Sequence, residues 1–177
     1  MKQGECMDVS GEAWQYSRIR DVKPMVKGTP DSVGCDVFIP TFDAEFIAEF
    51  EKQNADLACM FVRDKIVIQP FGRVKIPSGL KFRFATKQKL ETGNRSGHAM
   101  TKGLVFGAHI VDPDYQNEYF IGLINTSPDT VYLESGIKIV QLVRSPVFTD
   151  MPTEVPVDQL YSEVTVRGQG GFGSTGV

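Results

Sequence analysis

Cysteine and histidine are scarce in this 177-residue chain, which has only Cys6, Cys35 and Cys59 and only His98 and His109. An odd number of cysteines without metal-ligand spacing argues against a disulfide framework and fits a reducing compartment, and the same scarcity disfavours zinc. No charge of one sign dominates. Nineteen basic and 22 acidic side chains leave a formal net charge of −3, so no broad cationic field points to a nucleic-acid polymer or an anionic membrane. Long apolar runs are missing as well. The opening Met1 to Ala13 holds two glycines and three acids and reads as a loose arm, residues 1–15, with neither signal peptide nor membrane span. What remains is an intracellular, cytoplasmic protein whose ligand needs only a local cationic patch.

The length is that of one domain, enough to bury about 70% of the unfolded surface. Short segments rich in Val, Ile, Phe and Tyr predict strands at Ser17–Val22, Lys65–Gln69, Arg73–Ile76, Leu80–Phe84, Tyr119–Asn125, Val131–Leu133 and Ile137–Val143. Pro70-Phe71-Gly72, Pro77-Ser78-Gly79 and Ser127-Pro128-Asp129 punctuate them as turns. The fold class is therefore all-β, a sandwich or jelly roll. One stretch departs from it. Asp43 to Asn54 places Phe46, Ile47 and Phe50 on one face, with Thr41 or Asp43 as N-cap, and predicts a helix of about three turns. Such a face covers the end of a barrel or meets a partner, and the first reading is preferred because amphipathic faces mostly cover core.

The ten residues Arg167 to Gly176 contain five glycines, one aromatic, one guanidinium and two hydroxyls. Glycines turn backbone amides toward an anion, Arg167, Ser174 and Thr175 add donors, and Phe172 offers a flat face to a planar ring. Phosphate plus ring describes a nucleotide. The plain alternative is a frayed glycine-rich terminus.

This tail resembles the fifth motif of the trimeric dUTPase family, and the four earlier motifs have counterparts in the same order. Gly34-Cys35-Asp36-Val37 resembles the first, Arg95-Ser96-Gly97 the second, Val111-Asp112-Pro113-Asp114-Tyr115 the third and Gly136-Ile137-Lys138-Ile139-Val140-Gln141-Leu142 the fourth. The likeness runs from about residue 16 to 177, interrupted by an insertion at residues 41–64, as for a phage- or virus-type member acting in a host cytoplasm. It implies a distorted jelly-roll β-barrel (16–166) with one inserted helix, a glycine-rich lid (167–177) and a homotrimer with shared active sites. It also implies hydrolysis of dUTP to dUMP and pyrophosphate with Mg²⁺, by a mechanism that needs an aimed water, a base and donors for phosphate oxygens.

By the same resemblance Asp112 orients and deprotonates the water, whereas taken alone an Asp before Pro is a turn former. Asp114 reads as a turn residue. Tyr115 packs against the sugar and leaves no room for a 2′-hydroxyl. Arg95, Ser96 and Gly97, following the polar turn Thr92-Gly93-Asn94, take phosphates. Gln141, an amide in an apolar strand, contacts the phosphates or the water. Asp36 reaches Mg²⁺ through water, which suits an ion that keeps several waters and substrate phosphates as ligands. Arg167, Phe172, Gly173, Ser174 and Thr175 close over the nucleotide.

Ahead of Asp112, the stretch from Gly103 is about two residues shorter than the family pattern, and Ala108-His109 stands where the family reads uracil. The pair is reminiscent of the related dCTP deaminases, but the positions of their catalytic glutamate and arginine hold Gly122 and Met100. His109 is open to three readings: bonded to a backbone carbonyl, reading the base, or serving another role. His98 reads as lining a subunit contact. Two rival functions remain: the same chemistry on another or modified pyrimidine deoxynucleotide, and a regulator that binds protein through the inserted helix.

Overall fold

The computed structural model describes residues 14–166, Gly168 and Gly170. The arm up to Ala13 and the lid residues Arg167, Phe172, Gly173, Ser174 and Thr175 lie outside the described residues. Three strands, β1 (Gln15–Arg18), β2 (Val26–Lys27) and β3 (Cys35–Phe38), lead into α1 (Ala44–Asn54). Then come β4 (Cys59–Val62), β5 (Lys65–Ile68), β6 (Arg73–Pro77), β7 (Leu80–Arg83) and β8 (Gln88–Asn94). After α2 (Ser96–Lys102) follow β9 (Leu104–Phe106), β10 (Ile110–Val111), β11 (Phe120–Asn125), β12 (Val131–Leu133), β13 (Lys138–Pro146) and α3 (Val157–Leu160).

Every strand pair is antiparallel, in a five-stranded sheet β10-β8-β13-β3-β2, two three-stranded sheets β6-β11-β9 and β12-β5-β4, and the ribbon β1-β7. Neighbours such as β3 and β13 lie far apart in sequence, the crossing pattern of a jelly roll. Alternation sends Val74, Ile76, Ile121 and Leu123 into the interior beside Ile66, Ile68, Leu90, Val140 and Leu142, all buried.

The expected strands recur with shifted ends: the first begins at Gln15 and stops at Arg18, and the last runs on to Pro146. The pattern reading missed β2, β3, β4, β8, β9, α2 and α3. Thr92-Gly93-Asn94, expected as a polar turn, is the end of β8, because pairing to β13 occupies its backbone and Thr92 is wholly buried with its hydroxyl 2.8 Å from Tyr119 Oη. Tertiary pairing overrides local composition there. The same segment feeds α2, and β4 lies inside the expected insertion.

Helix α1 is capped by Asp43, whose carboxylate accepts from the Phe46 amide at 2.8 Å. Phe46 and Phe50 are buried, and Phe42, Phe46, Phe50 and Phe61 stack or meet edge-on at 5.0 to 6.4 Å. The helix end is stapled to β6 by Asn54. Its Nδ2 donates to the Lys75 carbonyl and its Oδ1 accepts from the Lys75 amide, both at 2.8 Å, as a strand neighbour would. The apolar face of α1 is thus used on this chain's own core. Beyond Pro146 the opposite holds: Phe148, Met151, Val157, Tyr161 and Val164 are each more than three-quarters exposed.

Asn54→Ala leaves both Lys75 backbone groups unpaired and should cost about 2–3 kcal/mol, against about 1 kcal/mol for uncapping with Asp43→Ala. Urea unfolding of the two variants measures this, and equal small losses would mean that the staple does not hold the helix.

Candidate functional site

The pairing of β13 builds the first cleft. Gln141 stands opposite Asp36 of β3 on one side and Gly93 of β8 on the other. Glycines on both flanks leave the Gln141 side chain its place: a Cβ at Gly34 would lie 2.5 Å from Gln141 Oε1 and one at Gly93 3.1 Å from Gln141 Cγ, so a side chain at either position would push Gln141 aside. The amide Nε2 donates to the Asn94 carbonyl at 3.0 Å. Around it opens a cavity of about 530 Å³ lined by Asp36, Arg95, Ser96, Gly97, His98 and Gln141, among others.

Asp36 is 8% exposed and carries two cations, Arg95 donating to Oδ1 and Lys138 Nζ lying 2.9 Å from Oδ2. Burial pushes its carboxyl upward, but the hydrogen bonds and charges of Lys138 and Arg95 outweigh burial and hold it below the ordinary carboxylate value. Lys138 reaches Asp36 because β13 is bulged. Three residues apart in a regular strand, Lys138 and Gln141 would face opposite sides, but the register shift between Lys138 and Val140 turns both toward Asp36. His98, on α2, places Nε2 2.8 Å from the Lys138 carbonyl, tying the helix to that strand.

A second cleft of about 190 Å³ forms at the end of β10, lined by Ala108, Asp112 and Tyr115 together with Thr92, Tyr119 and others. Asp112 stands where the strand enters a turn, which the Tyr115 amide closes by donating to the Asp112 carbonyl at 3.2 Å. The Tyr115 hydroxyl donates to the Glu118 carbonyl at 2.9 Å. Burial, with the charge of Glu118 adding to it, raises the Tyr115 phenol above its usual value.

His109 does not line this cleft. Its Nδ1 lies 3.0 Å from the Thr92 carbonyl and its ring stacks on Phe106 at 5.0 Å. A carbonyl only accepts, so Nδ1 carries the proton and the imidazole is satisfied by backbone. At Gly122, the position of the deaminases' glutamate, a Cβ would lie 3.2 Å from Ala108 Cβ, so a side chain there would crowd Ala108.

The second cleft is below the roughly 300–1,000 Å³ of a complete small-molecule pocket, and the first is lined by glycines and by polar and charged side chains. They share no lining residue.

The dUTPase family model matches residues 56–176. The chain belongs to the dUTPase family. It is 36% identical over 134 residues to the deoxyuridine 5′-triphosphate nucleotidohydrolase of Hydrogenobaculum sp. (strain Y04AAS1), covering 75% of this chain and 89% of that protein. The enzyme of the same name from Desulfotalea psychrophila is 35% identical, with 78% and 87% covered. The fold matches that of the Staphylococcus bacteriophage 80alpha dUTPase with dUpNHpp at a TM-score of 0.71 and 18% identity, covering 93% of this chain and 99% of that one. It also matches a mutant dUTPase from phage phi11 of S. aureus, with a structural Mg(II) ion, at a TM-score of 0.62 and 15% identity, covering 81% and 96%.

In dUTPase terms, the first, second and fourth motifs meet in one cleft through Asp36, Arg95-Ser96-Gly97 and Gln141, while the third forms the other. Among the described residues no three His, Cys, Asp or Glu side chains cluster to hold a metal. Asp36, the one carboxylate lining the first cleft, already carries two cations, a donor set that fits Mg²⁺ reached through water and held by phosphates but not a protein cage. Sequence reasoning missed Lys138 as a partner of Asp36 because the bulge that turns it inward has no local signature.

Since the folded Asp36 pKa lies below the unfolded value, its pairing stabilises above that value and is lost as pH falls through the folded one. The urea midpoints of the parent and Asp36→Asn should therefore differ above about pH 5, draw together as pH falls below about 4, and meet only below the lowered folded value. A constant gap down to pH 3 would show that the charge of Asp36 contributes nothing.

Proposed function

We propose that the protein hydrolyses dUTP to dUMP and pyrophosphate at a site assembled from the two clefts of neighbouring chains in a homotrimer. The observation that carries this reading is the separation itself: Arg95, Ser96, Gly97 and Gln141 line one cleft and Asp112 with Tyr115 another, with no residue shared. Arg95 and the amides of Ser96 and Gly97, which open α2 without intrahelical acceptors, take phosphate oxygens. Gln141 presents Oε1 toward the same space.

Asp112 accepts the proton of a water whose oxygen bonds to phosphorus as the α–β anhydride breaks and pyrophosphate leaves with the bonding electrons. Mg²⁺ on the triphosphate would spread the charge of the phosphate oxygens, with Asp36 reaching it through water. Ala108 offers backbone to the base, Tyr115 excludes a 2′-hydroxyl, and Arg167, Phe172, Gly173, Ser174 and Thr175 close over the nucleotide. The uncovered apolar segment after Pro146 supports an oligomer, since a second copy is the surface that would cover it.

Base choice has a second reading, the same chemistry on another pyrimidine deoxynucleotide, because His109 bonds the Thr92 carbonyl and does not line the Asp112 cleft. Pyrophosphate release from dUTP, dCTP, dTTP and UTP tests it, with dUTP expected to lead. Asp112→Asn preserves shape without proton-accepting capacity and should lower kcat by about 10² or more while nucleotide still binds. Turnover at the parent rate would make Asp112 a turn residue. Tyr115→Ala should narrow the gap between dUTP and UTP, and unchanged discrimination would move the filter elsewhere.

A further inference from the structure

Tyr115 does not hold itself in place. The ring is 39% exposed and its hydroxyl hangs on the Glu118 carbonyl, so its orientation depends on how firmly Glu118 is held. That residue is 5% exposed, a depth at which a lone carboxylate would be costly. Arg20 meets it with two prongs, Nε to Oε1 and Nη2 to Oε2, both at 2.9 Å, and the Gly79 amide adds a third donor to Oε1 at 2.7 Å. Planar pairing of guanidinium and carboxylate fixes rotation as well as distance.

The clamp is anchored outside the turn it serves. Arg20 comes from the connection between β1 and β2, and Gly79 from the turn between β6 and β7. Gly79 has φ +72°, and a Cβ there would lie 3.0 Å from Arg20 Cβ, so the close approach requires glycine. The remaining nitrogen, Arg20 Nη1, lies 3.2 Å from Glu45 Oε1 in the first turn of α1. A buried ion pair of this kind adds little net stability over an apolar pair of similar shape but holds geometry tightly.

We propose that Glu118, clamped by Arg20 and Gly79, is a positioning residue that orients the Tyr115 ring and thereby sets discrimination between deoxyribo- and ribonucleotides. The inference rests on the reading of Tyr115 as the sugar filter. Glu118 touches no substrate. It acts through its carbonyl, which the clamp holds still by gripping the side chain.

The test measures kcat/KM for dUTP and for UTP in the parent, Glu118→Gln, Tyr115→Phe and the double variant. Glu118→Gln removes the charge from the clamp. Tyr115→Phe keeps the ring, deletes only its bond to the Glu118 carbonyl and disturbs no buried charge, so a parent ratio in this variant overturns the inference even where the first variant fails to fold. The dUTP to UTP ratio of kcat/KM should fall about tenfold in each single variant, and no further in the double, because both cut one link. A purely structural role would lower both substrates together and leave the ratio unchanged. Tyr115→Ala separates the two readings. If it lowers the ratio while Tyr115→Phe and Glu118→Gln keep the parent value, Glu118 does not position the ring and the inference is overturned. If Tyr115→Ala also keeps the parent ratio, the sugar-filter reading itself falls.

Discussion

The register of β13 between β3 and β8 is the constraint on which the rest of the site depends. It sets Gln141 against Asp36 and Gly93, and it brings the residues of three separated segments to one cleft. A slip of one residue would turn Gln141 into the core and Leu142 out of it, so burial of Val140 and Leu142 enforces the register that chemistry needs. The bulge after Lys138 adds a cation to the same face without disturbing that alternation. Packing and site geometry are specified by the same side chains.

Two charged clusters then give the clefts their shape. Asp36 holds Arg95 and Lys138 beside the space assigned to phosphates, and Glu118 with Arg20 pins the loop that carries Asp112 and Tyr115. Both place a carboxylate under cationic donors; in the drier Glu118–Arg20 pair Coulomb attraction and desolvation nearly cancel and geometry is the net product. Helix α1 enters the second cluster through Glu45 and closes the core through Phe46 and Phe50.

Much of this was legible in the residues. The alternation of β11, the capped amphipathic pattern of α1 and the motif order from Asp36 to Gln141 are local signals, and the structure places strand, helix and clefts accordingly. The end of β8 was not legible, because Thr92-Gly93-Asn94 has turn composition and becomes strand only through pairing with β13. Lys138 was hidden by a bulge, Arg20 and Glu118 by a separation of 98 residues, and the orientation of His109 by a backbone carbonyl that no side-chain pattern reveals. The partition of the motifs between two clefts is likewise a property of topology, unreadable from their order alone.

The central claim is that one site draws on two chains, and complementation tests it most directly. Arg95→Ala and Asp112→Asn chains, each inactive by itself, would be unfolded together, refolded as a mixture and assayed for dUTP hydrolysis. If Arg95 and Asp112 of one site come from different chains, the mixture regains about a quarter of the parent activity, as random assembly of closed oligomers gives. If the mixture stays as inactive as its components, the site lies within a single chain and the account is wrong.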